Sequence, residues 1–116
     1  MPMLMLDDGT KMTEGHAIMH YLAALHGFNA TNPRDMYTGE FIYARWMEDF
    51  VAKYLFETWK VKGEEKEKLV ADIFSKHYPA FLEALDSTLL DGNRFLFGQR
   101  LSMYDFYIAG FFVNVV

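Results

Sequence analysis

The sequence predicts a mainly α-helical protein that opens with a β-hairpin. Three observations carry that expectation: an apolar run closed by Asp7-Asp8-Gly9, long stretches of apolar residues at helical spacing, and an almost wholly apolar final segment. The chain has 116 residues and an apolar fraction of 52%, enough to build a packed core.

Residues 3 to 6 are apolar, Asp7-Asp8-Gly9 is a tight-turn signal, and Thr10-Lys11-Met12 can return as the second strand. Thr13 then reads as a helix N-cap, with Glu14 in the first turn where a negative charge suits the helix dipole. Ala17, Ile18, Tyr21, Leu22 and Leu25 make one apolar stripe, and Gly27 offers a C-terminal stop. From Phe28 to Gly39 the turn-favouring residues Asn29, Thr31, Asn32, Pro33, Arg34 and Asp35 predict a linker.

A long helix is expected from Glu40 to about Trp59, with Tyr43, Met47, Phe50, Val51, Tyr54 and Leu55 on one broad face. Lys62 to Lys68 reads as a solvated loop and first helical turn. Leu69, Ile73, Phe81, Leu82, Leu85 and Leu89 mark another helix, which Pro79 should bend or divide. Asp91-Gly92-Asn93 ends it, and Phe95-Leu96-Phe97-Gly98 forms an apolar plug. Ser102 and Asp105 have capping-box spacing, with Asp where Glu or Gln is usual, so a final helix starts near Ser102. Its residues Tyr104, Phe106, Ile108, Phe111, Phe112, Val115 and Val116 are apolar almost all round and predict burial on more than one side.

Composition excludes several functions. Sixteen acidic against eleven basic side chains give a net charge of −5, which disfavours nucleic acid and anionic membrane surfaces as partners. Without cysteine the chain has no disulfide, thiolate metal site or cysteine nucleophile. The opening Met1 to Leu6 has no basic region and meets Asp7-Asp8, unlike a secretory signal, and the apolar stretch Phe106 to Val116 is too short to span a bilayer. A cytoplasmic location is the resulting expectation. His16 and His20 are four apart but have no Glu-x-x-His pairing or third ligand, so no metal is expected and the four histidines read as surface or semi-buried residues.

Two segments resemble the cytosolic glutathione S-transferases. Pro2-Met3-Leu4-Met5-Leu6-Asp7-Asp8-Gly9, followed by Thr13-Glu14-Gly15-His16-Ala17-Ile18 and Tyr21-Leu22-Ala23, is similar to the second half of that family's thioredoxin-like domain. Phe95-Leu96-Phe97-Gly98 with Leu101-Ser102-Met103-Tyr104-Asp105-Phe106 is similar to the capping-box signature of its all-helical domain. The texture is nearest the sigma and mu-like classes, and the chain looks truncated at both ends relative to the family. The resemblance implies a β-hairpin and helix left from the thioredoxin-like α/β domain over 1–28, a linker over 29–39, and a partial all-α C-terminal domain over 40–116.

The resemblance also implies roles for particular residues. Pro2 would be the family's cis proline, and the backbone of Met1 would pair with the cysteinyl part of glutathione. Glu14 and Gly15 occupy positions where family members place Gln or Glu and then Ser, which bind the γ-glutamyl end; here the hydroxyl is absent. Losing a bond to a charged group costs about 1.5–3 kcal/mol, so weakened glutathione binding is expected. Asp49 stands where several members place an acid that reaches the neighbouring subunit's glutathione, and Tyr43 and Arg45 could line the electrophile pocket. Plainer readings stand beside these: Met1-Pro2 as a frayed terminus, Thr13-Glu14 as a helix start, Asp49 as an exposed carboxylate, and Tyr43 as a core aromatic at helical spacing. Ser102 and Asp105 read as a structural cap rather than a catalytic pair.

In the family a Tyr, Ser or Cys upstream of the proline activates the thiol, and no residue here matches it, so no catalytic residue is assigned. Glutathione would be a co-substrate and no cofactor is implied. Two functions remain: part of a glutathione-conjugating enzyme, inactive by itself, or a non-catalytic transferase-like interaction subunit. Either predicts a homodimer or larger protein assembly, because the Met3 to Leu6 strand and the apolar last helix expect covering neighbours.

Overall fold

The computed structural model describes residues 1–89 and 92–115. Strand β1 (Met3–Met5) pairs antiparallel with β2 (Lys11–Thr13), setting Met3 opposite Thr13, Leu4 opposite Met12 and Met5 opposite Lys11. Leu4 and Met12 are the half-buried pair, and the residues on either side of them are exposed, the alternation expected of a ribbon with one covered face. The turn closes as the sequence suggests: Gly9 N–H donates to the Leu6 carbonyl and Leu6 N–H to that of Thr10, both at 2.9 Å. Asp8 Oδ1 adds an Asx-type bond by accepting the Thr10 amide at 2.8 Å. The rest of the described chain is mainly helical, the fold class the sequence predicts.

Helix α1 (Gly15–His26) begins later than expected. Thr13 is committed to the ladder opposite Met3 and cannot cap the helix; the residue before the helix is Glu14, at φ 70° and ψ 104°, with no side-chain cap bond. Glu14 is therefore outside the first turn, which holds no acid. The C-terminal stop is where it was expected: Gly27 lies at φ 77° and donates to the Ala23 carbonyl, a left-handed cap that a Cβ would strain. The covered face centres on buried Ala23 with half-buried Ile18, Met19, Tyr21 and Leu22, whereas Ala17 and Leu25 from the predicted stripe are exposed.

The expected linker is shorter as irregular chain, because α2 (Pro33–Ala44) starts within it. Asn32 caps the helix: its Oδ1 accepts the Asp35 amide at 2.9 Å and its Nδ2 donates to Asp35 Oδ2 at 2.8 Å. Pro33 loses nothing at the first helical position, where its missing N–H would have no intrahelical acceptor. The helical path continues through a wide, π-type segment from Arg45 to Leu55 and a 3₁₀ turn from Phe56 to Trp59, ending where the pattern predicts. After it come α3 (Gly63–Asp72), a wide turn from Ile73 to His77, and α4 (Tyr78–Asp86). The wide turn stands just before Pro79, where Tyr78 N–H reaches back to the Ile73 carbonyl, so the proline divides the helix as expected. Helix α5 (Met103–Val115) completes the order.

The chain forms two compact units, Met1–Met36 with Arg94–Val116, and Tyr37–Asn93. In the first, Ala23, Leu96, Met103 and Tyr104 are buried, and Met103 N–H donates to the Phe28 carbonyl at 2.9 Å. Phe28 meets Phe106 edge to face at 5.4 Å, and the Arg100 guanidinium donates to the Gly27 carbonyl. Burial of α5 is concentrated in its first turn, since Phe106 is 44% and Val113 81% exposed; the expectation of cover on several sides is not met for these residues. Asp91 and Val116, and the side chains of Phe111, Phe112 and Val115, lie outside the described residues.

In the second unit the core holds Ile42, Phe50, Ile73 and Leu85. Phe50 is central, stacked on Phe81 at 5.1 Å and flanked by Tyr54 and Tyr78 at 6.1 Å each. The buried Thr58 hydroxyl is satisfied by donating to the Leu55 carbonyl at 2.6 Å. Among the described residues no helix is long and apolar enough to cross a membrane.

Candidate functional site

In the first unit, three residues singled out by sequence meet at the start of α1. A Cβ built on Gly15 would touch Pro2 Cγ at 3.4 Å, so the proline ring packs directly over the glycine. Glu14 precedes it at φ 70°, the one described non-glycine residue with positive φ. Side chains seldom occupy that region, and a residue held there costs on the order of 1–3 kcal/mol. The hairpin imposes it: Thr13 must stay in the ladder while Gly15 must already be helical. The first N–H groups of a helix have no intrahelical acceptor and lie at the positive end of its dipole, a setting that suits an anion, and Glu14 is the residue immediately before them in the chain.

Met1 stands apart, 92% exposed. The resemblance implies a cis bond before Pro2, but no described peptide bond is cis. The trans form is the intrinsic preference of an X–Pro bond, and an exposed Met1 supplies no packing to reverse it.

In the second unit, a cleft of about 350 Å³ lies between the wide helical segment and α4. Arg45, Asp49, Phe50, Lys53 and Tyr54 line one wall, with His77, Ala80, Phe81 and Ala84 opposite. The i→i+5 bonding of the segment accounts for that wall, because it lines up residues four and five apart, as 45, 49, 50 and 54 are. Phe50 and Phe81 form an apolar floor; above it Tyr54 stacks on His77 at 3.9 Å with rings 14° from parallel. Lys53 Nζ lies 5.4 Å from the Tyr54 ring centre, a cation over an aromatic face. Arg45 Nη1 donates to Asp49 Oδ2 at 2.9 Å, both groups about half exposed, an arrangement that contributes roughly 0–1 kcal/mol.

Of the two pocket residues expected from sequence, Arg45 is in the cleft and Tyr43 is not among its walls. The Tyr43 hydroxyl is pushed above its ordinary pKa, first by burial and then by the charges of Glu40 and Glu48. It is a neutral phenol, not an activating base. Asp49 also lines the cleft, and so do Lys53, Tyr54 and His77, which no sequence motif marks as site residues. Tyr54 and His77 sit on separate helices, and only packing brings them together.

Ser102 and Asp105 form the cap at the head of α5. Asp105 Oδ2 accepts the Ser102 amide at 2.8 Å and its hydroxyl at 2.7 Å, and Oδ1 accepts the Leu96 amide at 2.9 Å. The carboxylate thereby ties the apolar plug to the helix start.

Residues 48–115 match the family model described as glutathione S-transferase, C-terminal domain. A curated protein of Antechinus stuartii named glutathione S-transferase is 28% identical over 102 residues, which cover 84% of this chain and 44% of that relative. The chain thus spans less than half the length of the curated relative it matches. No solved structure matches it.

Proposed function

The chain belongs to the glutathione S-transferase family, and from that premise we propose that it takes part in conjugating glutathione to electrophiles. In this reading the α1 corner holds the γ-glutamyl end of the tripeptide. Its carboxylate meets the first N–H groups of α1, and its ammonium group meets Glu14. The carrying observation is Glu14 itself, held at φ 70° with no cap bond beside Gly15 and Pro2. With glycine at position 15 one hydroxyl contact is lost, so the site binds weakly.

The cleft beside Arg45 and Lys53 would take the electrophile, with the Phe50–Phe81 floor receiving its apolar part. Asp49 would serve the glutathione of a second copy in a homodimer, after leaving an exposed pair with Arg45 that is worth roughly 0–1 kcal/mol. None of the 116 residues matches the thiol-activating group, so the chain alone is expected to bind glutathione without conjugating it. Retention on immobilised glutathione with elution by the free tripeptide supports this reading, and flow-through refutes it.

A second reading, a non-catalytic subunit of a larger assembly, is favoured by one observation. An apolar cavity of about 260 Å³ opens on the first unit, lined by Met19, Leu22, Ala23, Phe28, Met103 and Phe106 among others. An assembled complex that masks Phe106 in a protein that ignores glutathione would establish that alternative.

A further inference from the structure

The first unit contains another side-chain cluster, on α1 and α5, that has no part in the glutathione reading. His16 and His20, four residues apart on one face of α1, approach with their Nε2 atoms 3.2 Å apart and their rings 82° to one another. On its far side His16 presents Nδ1 to the Tyr107 hydroxyl of α5 at 3.1 Å. Two imidazole nitrogens this close form a hydrogen bond only if one carries a proton and the other a lone pair.

The same separation is what a shared metal requires. Two nitrogens bound 2.0–2.1 Å from one tetrahedral zinc stand about 3.3 Å apart. We infer that His16 and His20 form a two-imidazole chelate for a borderline divalent ion, Zn²⁺ first, with Cu²⁺ and Ni²⁺ as other ions of suitable affinity. Imidazole donors suit these metals, and a chain without cysteine offers no thiolate to draw softer ions.

Tyr107 gives the pair its direction. When the Tyr107 oxygen accepts the His16 Nδ1 proton, the lone pair of His16 is left on Nε2, facing His20. His20 then donates from Nε2 in the metal-free state. On binding, His20 takes the tautomer protonated at Nδ1, and both Nε2 lone pairs turn to the ion. The histidines fill two coordination positions, and water or further donors fill the rest, as in open rather than closed zinc sites.

The test uses the whole 116-residue chain with ¹⁵N-labelled histidine, titrated with zinc chloride and followed by NMR and calorimetry. The Nε2 resonances of His16 and His20 should shift together and saturate at one equivalent, with those of His26 and His77 unmoved. His16→Gln and His20→Gln should each abolish the calorimetric signal. Tyr107→Phe should weaken binding about 10–100-fold, the effect expected of a group that orients a ligand. The inference is overturned if His26 and His77 shift in step with the pair, if both glutamine variants bind as the parent does, or if no zinc binds. The resonance experiment on the unaltered chain decides the matter even where a variant fails to fold, and none of its outcomes depends on glutathione.

Discussion

A serine in place of Gly15 should tighten glutathione binding while leaving the fold intact. Gly15 is outside the positive-φ region, and its added Cβ would meet one neighbour, Pro2 Cγ at 3.4 Å, an ordinary contact against an exposed ring. The new hydroxyl stands at the first position of α1, where it can donate to a bound carboxylate. A hydrogen bond to a charged group contributes about 1.5–3 kcal/mol, which is roughly tenfold to a hundredfold in Kd. Removing a glycine also narrows the unfolded ensemble, by about 0.4–1 kcal/mol. Gly15→Ala separates the two effects, since alanine adds the same Cβ and no hydroxyl. Calorimetric titration of parent, Ser and Ala proteins with glutathione should show the gain for Ser only, while thermal unfolding rises for both. Equal affinities for Ser and Ala would refute the placement of the γ-glutamyl carboxylate at this corner.

Glu14→Gly should relieve the φ 70° backbone and raise stability by about 1 kcal/mol net of the entropy of a new glycine, visible as an unfolding temperature about 4 °C higher, with glutathione binding lost. Asp105→Ala removes the acceptor for two backbone amides and the Ser102 hydroxyl and should cost about 3 kcal/mol in denaturant unfolding; a cost below about 1 kcal/mol would mean the cap is dispensable. Phe50→Ala empties the centre of the second unit, where the ring is 2% exposed, and should cost about 3–5 kcal/mol. Asp8 is held below its ordinary pKa, chiefly by the Thr10 side chain and then by the Thr10 amide. A depressed folded-state value means that its support for the hairpin is complete above the unfolded pKa and fades as pH falls through the folded one. The Thr10 amide resonance should therefore move toward its unfolded position at the acid end, and in Asp8→Ala it should lose that titration.

Much of the fold was legible because its signals were local and unopposed. Asp7-Asp8-Gly9 closes a hairpin, Gly27 stops α1, Trp59 ends the long helical path, and Ser102 with Asp105 opens α5. Errors arose where one residue type serves two purposes. Asn32, Pro33 and Asp35 favour turns for the same reasons that suit them to a helix start, and Asn32 caps α2 with the side-chain geometry it could have lent to a loop. Apolar period also marks which positions could be covered without saying which are, so Ala17 and Leu25 are exposed while Ala23 is the centre of contact. The cleft was hardest to foresee. Arg45 and Asp49 share one helical segment, but His77 reaches Tyr54 from another, and no spacing within either segment records the encounter.

At Thr13 the fold overrides local preference. Local preference would have Thr13 cap α1 and Glu14 complement its dipole, a cap alone being worth about 1 kcal/mol. The folded chain forgoes that cap and holds Glu14 in a region costing on the order of 1–3 kcal/mol, so the junction gives up a few kcal/mol against the simplest alternative. A capping Thr13 hydroxyl would occupy one of the first-turn N–H groups, and those are the donors an incoming carboxylate needs. Strain at Glu14 and a helix without a side-chain cap are thus two sides of one arrangement: the hairpin draws Thr13 away, and its hydroxyl makes no cap bond to the first turn. Places where a sequence departs from its own local rules are the expected positions of functional or strained sites. Here the departure coincides with the residues that the glutathione reading requires, and a ligand carboxylate would supply at α1 the cap that the chain leaves out.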